Sequence, residues 1–413
     1  MIAYVKITLR ILQANRVTSD PGEGSGITNE VANMKRYAYV LLAAVVVVAC
    51  SVPGKFGGET PPPPTGTASV IPPTRTASPV PATAVPPTPT PLPPVITAET
   101  VGSLSVALSF GEGIVRSLAF SPDGTVLAAA EGDPAASIGT IQLYDAASGQ
   151  PLHTLEGHES GVWGLAFLPD GRYLASAGRD HTARIWDWAG GTLVKVIDFP
   201  NEVVAVAFSP DSRTLAVGGV DELPGNPLQD AAIWTFAVDS WLPQLKLAEY
   251  WNIPDIAFSP DGSLIVGGGT SRNARVWRSS DGAQQFILYH PGQVGSLAVS
   301  PDGSMVATAL CEASEGGQCT RGAVWLWSLT TGRHIMTLSV SSAAVGDVAY
   351  SADGSVLFAA SVDGTLRAYS TSDYRALLTT SAQAGPYHLA LSADGRFLAT
   401  GGSGRIDLWR VGG

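Results

Sequence analysis

Seven near-copies of one five-residue phrase recur along the last three-quarters of this chain, and their phasing constrains the fold more than any other feature. They begin at Phe120, Phe167, Phe208, Phe258, Val299, Tyr350 and Leu391 and read Phe-Ser-Pro-Asp-Gly or a close variant, at spacings of 47, 41, 50, 41, 51 and 41 residues. A repeat of about 40–45 residues is the period of a four-stranded propeller blade, so seven copies predict seven blades. Each phrase has the chemistry of a tight turn between two apolar runs, such as residues 115–120 and 126–130 in the first copy. Pro fixes φ at the first turn position, Asp bonds the backbone ahead of it, and Gly accepts positive φ. A third strand ends on an aromatic in every copy: Tyr144, Trp186, Trp234, Trp277, Trp327, Tyr369 and Trp409. A shorter fourth strand follows, as at residues 152–155 and 334–338.

Residues 101–413 resemble the WD40 repeat family, and blade two carries the resemblance best, with Gly157-His158, the phrase at residues 167–171, and Asp180 leading to Trp186-Asp187. The resemblance implies a hydrogen-bonded set within that blade, formed by His158, Ser176, Asp180 and Trp186. Elsewhere the chain departs from the family pattern. No other Gly-His pair occurs, and the Trp-Asp dipeptide decays to Tyr144-Asp145, Trp234-Thr235, Trp277-Arg278, Trp327-Ser328, Tyr369-Ser370 and Trp409-Arg410. The last copy stops after its third strand, while an orphan apolar strand, Leu104–Phe110, precedes the first. Pairing the two would close the ring and hide the sheet edges. The expected fold is therefore an all-β, seven-bladed WD40-like propeller over residues 99–413.

Ahead of it the composition changes twice. Residues 34–50 carry two positive charges, thirteen apolar or aromatic residues and then Cys50. Thirteen residues are too few to span a bilayer, which takes about 20, but suit the core of a signal peptide. The ending at residues 47–50, Val-Val-Ala-Cys, resembles the lipobox of bacterial lipoproteins, which implies lipidation of Cys50 and an extracytoplasmic, membrane-tethered protein. Residues 1–33 then precede the signal, either as a start assigned too early, with Met34 the true start, or as the cytoplasmic extension of a type II anchor. Residues 51–98 are rich in Pro, Thr and Ala, with too few large apolar groups to offset the entropy of folding. Such a stalk, extended as polyproline II, reaches up to roughly 100–150 Å. Only Cys311 and Cys319 remain once Cys50 is set aside; in an exported chain an even pair predicts a disulfide closing their loop.

The chemistry is otherwise quiet. The formal net charge is −11 and no Lys/Arg cluster marks the propeller, which argues against nucleic acid as a partner. No nucleophile elbow, zinc-helix motif or phosphate-binding loop is present, and the six histidines are scattered, so no metal, cofactor or catalytic set is expected. The long spacings place insertions between the second and third strands of blades one, three and five, at residues 131–139, 220–230 and 311–319. They would rise from one face. On that face, aligned innermost strands present Arg116, Trp163, Val204, Pro254, Gly295, Gly346 and Tyr387. Blades seven, one and two are contiguous in the ring, so Tyr387, Arg116 and Trp163 become neighbours, with Arg179 beside them. These are the residue types that dominate binding hot spots. The expected function is a non-catalytic platform for protein partners, its propeller monomeric. The rival expectations are a carbohydrate or small-ligand receptor using the exposed aromatics, and a propeller hydrolase or lyase using loop carboxylates and His388.

Overall fold

The computed structural model describes residues 93–111, 113–132, 139–221, 230–250, 252–382 and 388–412. They form seven four-stranded antiparallel sheets, and in six of them the four strands follow one another in the chain. The seventh is composite. Leu104–Phe110 pairs antiparallel with Ile406–Val411 and supplies the outermost strand of the last blade. The innermost strands are Ile114–Phe120, Val162–Phe167, Val203–Phe208, Asp255–Phe258, Val294–Val299, Val345–Tyr350 and His388–Leu391. The signal-like segment, Cys50, the 131–139 and 220–230 insertions for most of their length, and Tyr387 lie outside the described residues.

The turns follow the side-chain chemistry. In the first copy the buried Ser121 hydroxyl donates to Asp123 Oδ1 at 2.6 Å and accepts the Val126 amide at 2.9 Å. The same Ser-to-Asp bond recurs at Ser209–Asp211, Ser259–Asp261, Ser300–Asp302, Ser351–Asp353 and Ser392–Asp394. Blade two has Leu168 in the Ser position, and there Arg172 holds Asp170 at 2.7 Å instead. The fifth residue of each phrase takes positive φ, from 60° at Ser212 to 82° at Gly171. Ser212 is the one side chain forced into that region, and its hydroxyl accepts the Asp170 amide of the neighbouring blade at 3.1 Å.

There is no single central core. Seven apolar clusters lie one between each pair of adjacent blades, including one that joins the last blade to the first. The cluster between blades six and seven also takes in Ile96 and Val101, ahead of the closing strand. Ile96 is fully buried, its amide donates to the Gly395 carbonyl at 2.7 Å, and the Ala98 amide donates to Ser355 Oγ at 3.0 Å. Ile96 thus packs into the seam beside the composite blade.

The two cysteines are bonded, with Cα atoms 5.7 Å apart. The segment between them is not the irregular loop expected from the sequence. Met305–Glu315 and Gln318–Ser328 are eleven-residue strands that extend the blade-five hairpin to a Gly316-Gly317 turn, and the cysteines sit on opposite arms. Arg321 pairs with Glu312 across it at 2.9 Å. At its base a Cβ on Gly322 would lie 1.9 Å from the Ala343 carbonyl, so only glycine lets the neighbouring loop press against the hairpin.

The Asp123, Asp211, Asp261 and Asp302 carboxyls all lie below the ordinary 3.8, chiefly through the bond from the serine two residues back. A depressed folded-state pKa contributes stability that is present above 3.8 and lost as pH falls through the folded value. Stability should therefore decline below about pH 4, and Ser259→Ala should return the Asp261 titration toward 3.8 in carbon-detected NMR. It should also cost about 1–3 kcal/mol in denaturant unfolding, since the Leu264 amide loses its acceptor. An unmoved Asp261 titration would refute the assignment of the serine as its main partner.

Candidate functional site at the channel mouth

The innermost strands do more than line the channel. In blades one, two, three, five and six their pairing with the second strand skips one residue, and the skipped residues are Arg116, Trp163, Val204, Gly295 and Gly346. A bulge re-aims a side chain out of the regular alternation. The start of each innermost strand pairs with the end of the second, as in Val162 with Gly178 and Val294 with Leu310. The connections between second and third strands therefore stand on the same face as the bulges, and the disulfide hairpin rises there.

Arg116 and Trp163 meet as the ring order requires. The Arg116 guanidinium carbon lies 4.5 Å from the Trp163 ring centroid, and that of Arg179 lies 4.3 Å from it. Two cations thus share one half-buried indole, each held by the ring quadrupole. Arg179 also pairs with Glu202 at 3.2 Å, both side chains nearly half exposed. Burial, then the charge of Arg179, lowers the Arg116 pKa below its ordinary value. Of the residues expected at this mouth, Arg116, Trp163 and Arg179 are brought together; Tyr387 lies outside the described residues.

Blade two stiffens this site from behind. His158 Nδ1 lies 2.8 Å from Asp180 Oδ2, His158 Nε2 lies 2.7 Å from Ser176 Oγ, and Trp186 Nε1 donates to the same hydroxyl at 2.9 Å. Asp180 also accepts from Thr182 and from the Glu159 amide. Burial would raise its carboxyl, but the His158 bond and charge and these further donors hold it well below 3.8. A Cβ on Gly178 would fall 2.5 Å from His158 Nδ1, so the second strand must carry glycine there. Arg179 follows directly, and the network fixes the backbone that presents it.

One layer below the mouth the structure sets His388, the candidate of the hydrolase expectation, among groups that the sequence reading passed over. The next channel-facing ring is Ser117, Gly164, Ala205, Asp255, Ser296, Asp347 and His388, lining a cavity of about 320 Å³. Asp255 accepts the Leu297 amide at 2.8 Å, Ser296 donates to Asp347 at 2.5 Å, and Asp347 accepts the Leu389 amide at 2.9 Å. These bonds tie blades four, five, six and seven in sequence. Ser117 does the same from blade one to blade two, accepting the Leu165 amide at 3.1 Å. Desolvation raises both carboxyls from 3.8 toward neutrality, and for Asp347 the charge of Asp255 adds to it. His388 lies 3.9 Å from Asp347 and is held down to about 4 by desolvation and then by the charge of Arg116. Among the described residues no group of three or more His, Cys, Asp or Glu is placed to hold a metal. The readable signal was an Asp directly after the entry residue of two otherwise apolar innermost segments, after Pro254 and after Gly346.

A second network was also missed. In blade five His290 Nε2 lies 2.8 Å from Thr308 Oγ1, and Trp327 Nε1 donates to that nitrogen at 3.0 Å. Burial holds this histidine down to about 4, with no aspartate in the set. It follows Tyr289 rather than Gly, so a search for Gly-His pairs does not find it.

Seven phased four-stranded blades closed by an N-terminal strand, with a His-Ser-Asp-Trp set in one of them, define a repeat propeller. Six segments, residues 104–137, 149–187, 191–222, 247–278, 332–370 and 376–410, match the WD domain, G-beta repeat (WD40) family, and the chain belongs to it. The unmatched residues 279–331 contain most of blade five with its disulfide hairpin. Among curated proteins the chain is 28% identical over 222 residues to target of rapamycin complex subunit wat1 of Schizosaccharomyces pombe, covering 52% of this chain and 67% of that one. It is 35% identical over 113 residues to eukaryotic translation initiation factor 3 subunit I of Aspergillus fumigatus, 27% of this chain and 32% of the relative. It is 26% identical to protein HIR1 of Chaetomium globosum, 62% of this chain and 28% of the relative. The match thus spans about a third or less of the last two proteins.

Asp347→Ala leaves the Ser296 hydroxyl and the Val348 and Leu389 amides without their acceptor, and should cost about 1–3 kcal/mol in denaturant unfolding. A raised folded-state pKa contributes stability that is full below 3.8 and lost as pH rises toward neutrality. The gap between wild type and variant should therefore be wider near pH 5 than near pH 8. A gap independent of pH would show that the channel does not hold this carboxyl protonated.

Proposed function

We propose that this protein is a non-catalytic interaction platform, tethered through Cys50 to a bacterial membrane outside the cytoplasm, and that it receives protein partners on the face bearing Arg116, Trp163 and Arg179. One observation carries the reading: two guanidinium groups on one indole, presented by bulges and a rigid loop at the mouth of the channel. Aromatic and Arg side chains clustered at the centre of a face are the anchors that dominate interface energetics. Membership of the WD40 family supports the reading, as do relatives described by name as a complex subunit and an initiation-factor subunit. The stalk supplies reach and the lipid raises local concentration.

The receptor reading has less behind it, because the Trp163 ring already carries two guanidinium groups, leaving less of it for a sugar to stack on. The hydrolase reading leans on His388, yet the oxygens of Asp347 beside it are engaged by Ser296, Val348 and Leu389. Such a carboxyl builds the ring before it serves a substrate.

Two measurements test the proposal. Affinity capture from native envelope extract with the full chain should retain a protein that Trp163→Ala loses, while the thermal unfolding midpoint of the variant stays near wild type. Cys50→Ala should move the protein from the membrane to the soluble fraction. Capture indifferent to Trp163 would overturn the platform face, and unchanged fractionation would overturn the lipid tether.

A further inference from the structure

We infer that the group received at the channel mouth is the carboxylate of an acidic segment of a partner protein, held between Arg116 and Arg179. This rests on the platform reading and names the chemistry of its partner. Arg116 stands partly buried over Trp163 with no carboxylate in ion-pair distance among the described residues. Arg179 is close enough for its charge to lower the Arg116 pKa, and the positive field of Arg116 reaches His388 below. Two like charges held against one indole are stabilised by an anion that both can reach. Guanidinium groups bind planar carboxylates with two parallel N–H bonds, which a flexible ammonium cannot match.

The present counter-charge is Glu202, paired with Arg179 alone at 3.2 Å in a half-exposed geometry. Such pairs hold weakly in water and exchange readily. A partner carboxylate would displace Glu202 from Arg179 and give Arg116 an ion pair as well. The charge around the mouth selects the same partner. Asp255 and Asp347 lie one layer deeper, so an anion is stopped at the rim. The chain as a whole is acidic, at −11, which leaves this mouth a local inversion of sign that orients an acidic partner on approach. A nucleic acid needs a strip of cations to replace its counterions, and two arginines do not form one.

The test uses full-chain protein in detergent and a labelled hexaglutamate peptide, read by fluorescence anisotropy, with hexalysine and an oligothymidylate of equal charge as comparisons. Saturable binding of hexaglutamate is expected, weakened tenfold or more in the double variant Arg116→Gln, Arg179→Gln and tightened in Glu202→Gln. It should weaken as salt rises from about 50 to 500 mM, as screening predicts. Arg116→Lys should lie between wild type and Arg116→Gln, separating the charge from the fold of the loop. Absence of saturable hexaglutamate binding, binding unchanged in the double variant, or tighter binding of the oligothymidylate would each overturn the inference. The capture experiment above separates the two readings. Trp163-dependent capture without hexaglutamate binding leaves the platform and removes its acidic partner, and Arg-dependent peptide binding without capture does the reverse.

Discussion

Each blade of this protein buries its two faces only against its neighbours, so the ring has to close. The apolar clusters lie between blades and not inside them, and one of the seven joins the last blade to the first. An open array would leave two sheet faces and an unpaired edge in water. Closure falls to Leu104–Phe110, which comes from the opposite end of the chain and completes the last sheet. Ile96 and Val101 extend the same seam. The channel, the mouth and the alignment of bulges all presuppose this closed ring, because each is built from strands more than forty residues apart.

A second set of links runs along the channel wall. The bulges that throw Arg116, Trp163, Gly295 and Gly346 out of register interrupt the ladder between the first and second strands. Side chains of the following ring position reach across to the next blade's backbone: Ser117 to Leu165, Asp255 to Leu297 and Asp347 to Leu389. A device that presents side chains to a partner thus comes with side-chain bonds that hold adjacent blades together. The same residues that shape the site also keep its frame rigid, so stability and presentation are coupled through this wall.

Much of this was legible because repeat proteins write their fold locally. The Ser-Pro-Asp-Gly phrase forms a turn through bonds spanning two to five residues, and its phasing alone counts the blades. The neighbourhood of Arg116 and Trp163 followed from ring order, since consecutive blades must be adjacent. What the sequence hid was of two kinds. The Asp255–Leu297 and Ser296–Asp347 links join residues 42 and 51 positions apart, and their meaning appears only when blades are set side by side. The His290–Thr308–Trp327 set lies within one blade, but it has Tyr289 where blade two has Gly157, and no aspartate completes it. The spacing of blade five marks residues 311–319 as an inserted loop, and only the cross-strand pairing up to Glu315 with Gln318 shows that the insertion lengthens a hairpin.

The channel is layered by charge, and that layering gives the mouth its selectivity. Arg116 and Arg179 stand at the rim, and Asp255, Asp347 and His388 form the ring beneath. Desolvation raises both carboxyls, Asp255 to about 6 and Asp347 to about 7 with the charge of Asp255 adding to it. Desolvation and Arg116 lower the histidine to about 4, so near neutral pH the floor carries less charge than two free carboxylates would. A floor of reduced negative charge offsets the positive rim only in part and still turns an anion back at the rim. The rim charge is then left to act outward, toward whatever approaches the face, and the indole of Trp163 keeps both guanidinium groups at a fixed height to do so. Had the two aspartates kept ordinary carboxylate pKa values, they would have offset more of the rim from within. Carboxyls pushed up by burial thus leave part of the rim charge uncancelled on the surface of an acidic protein.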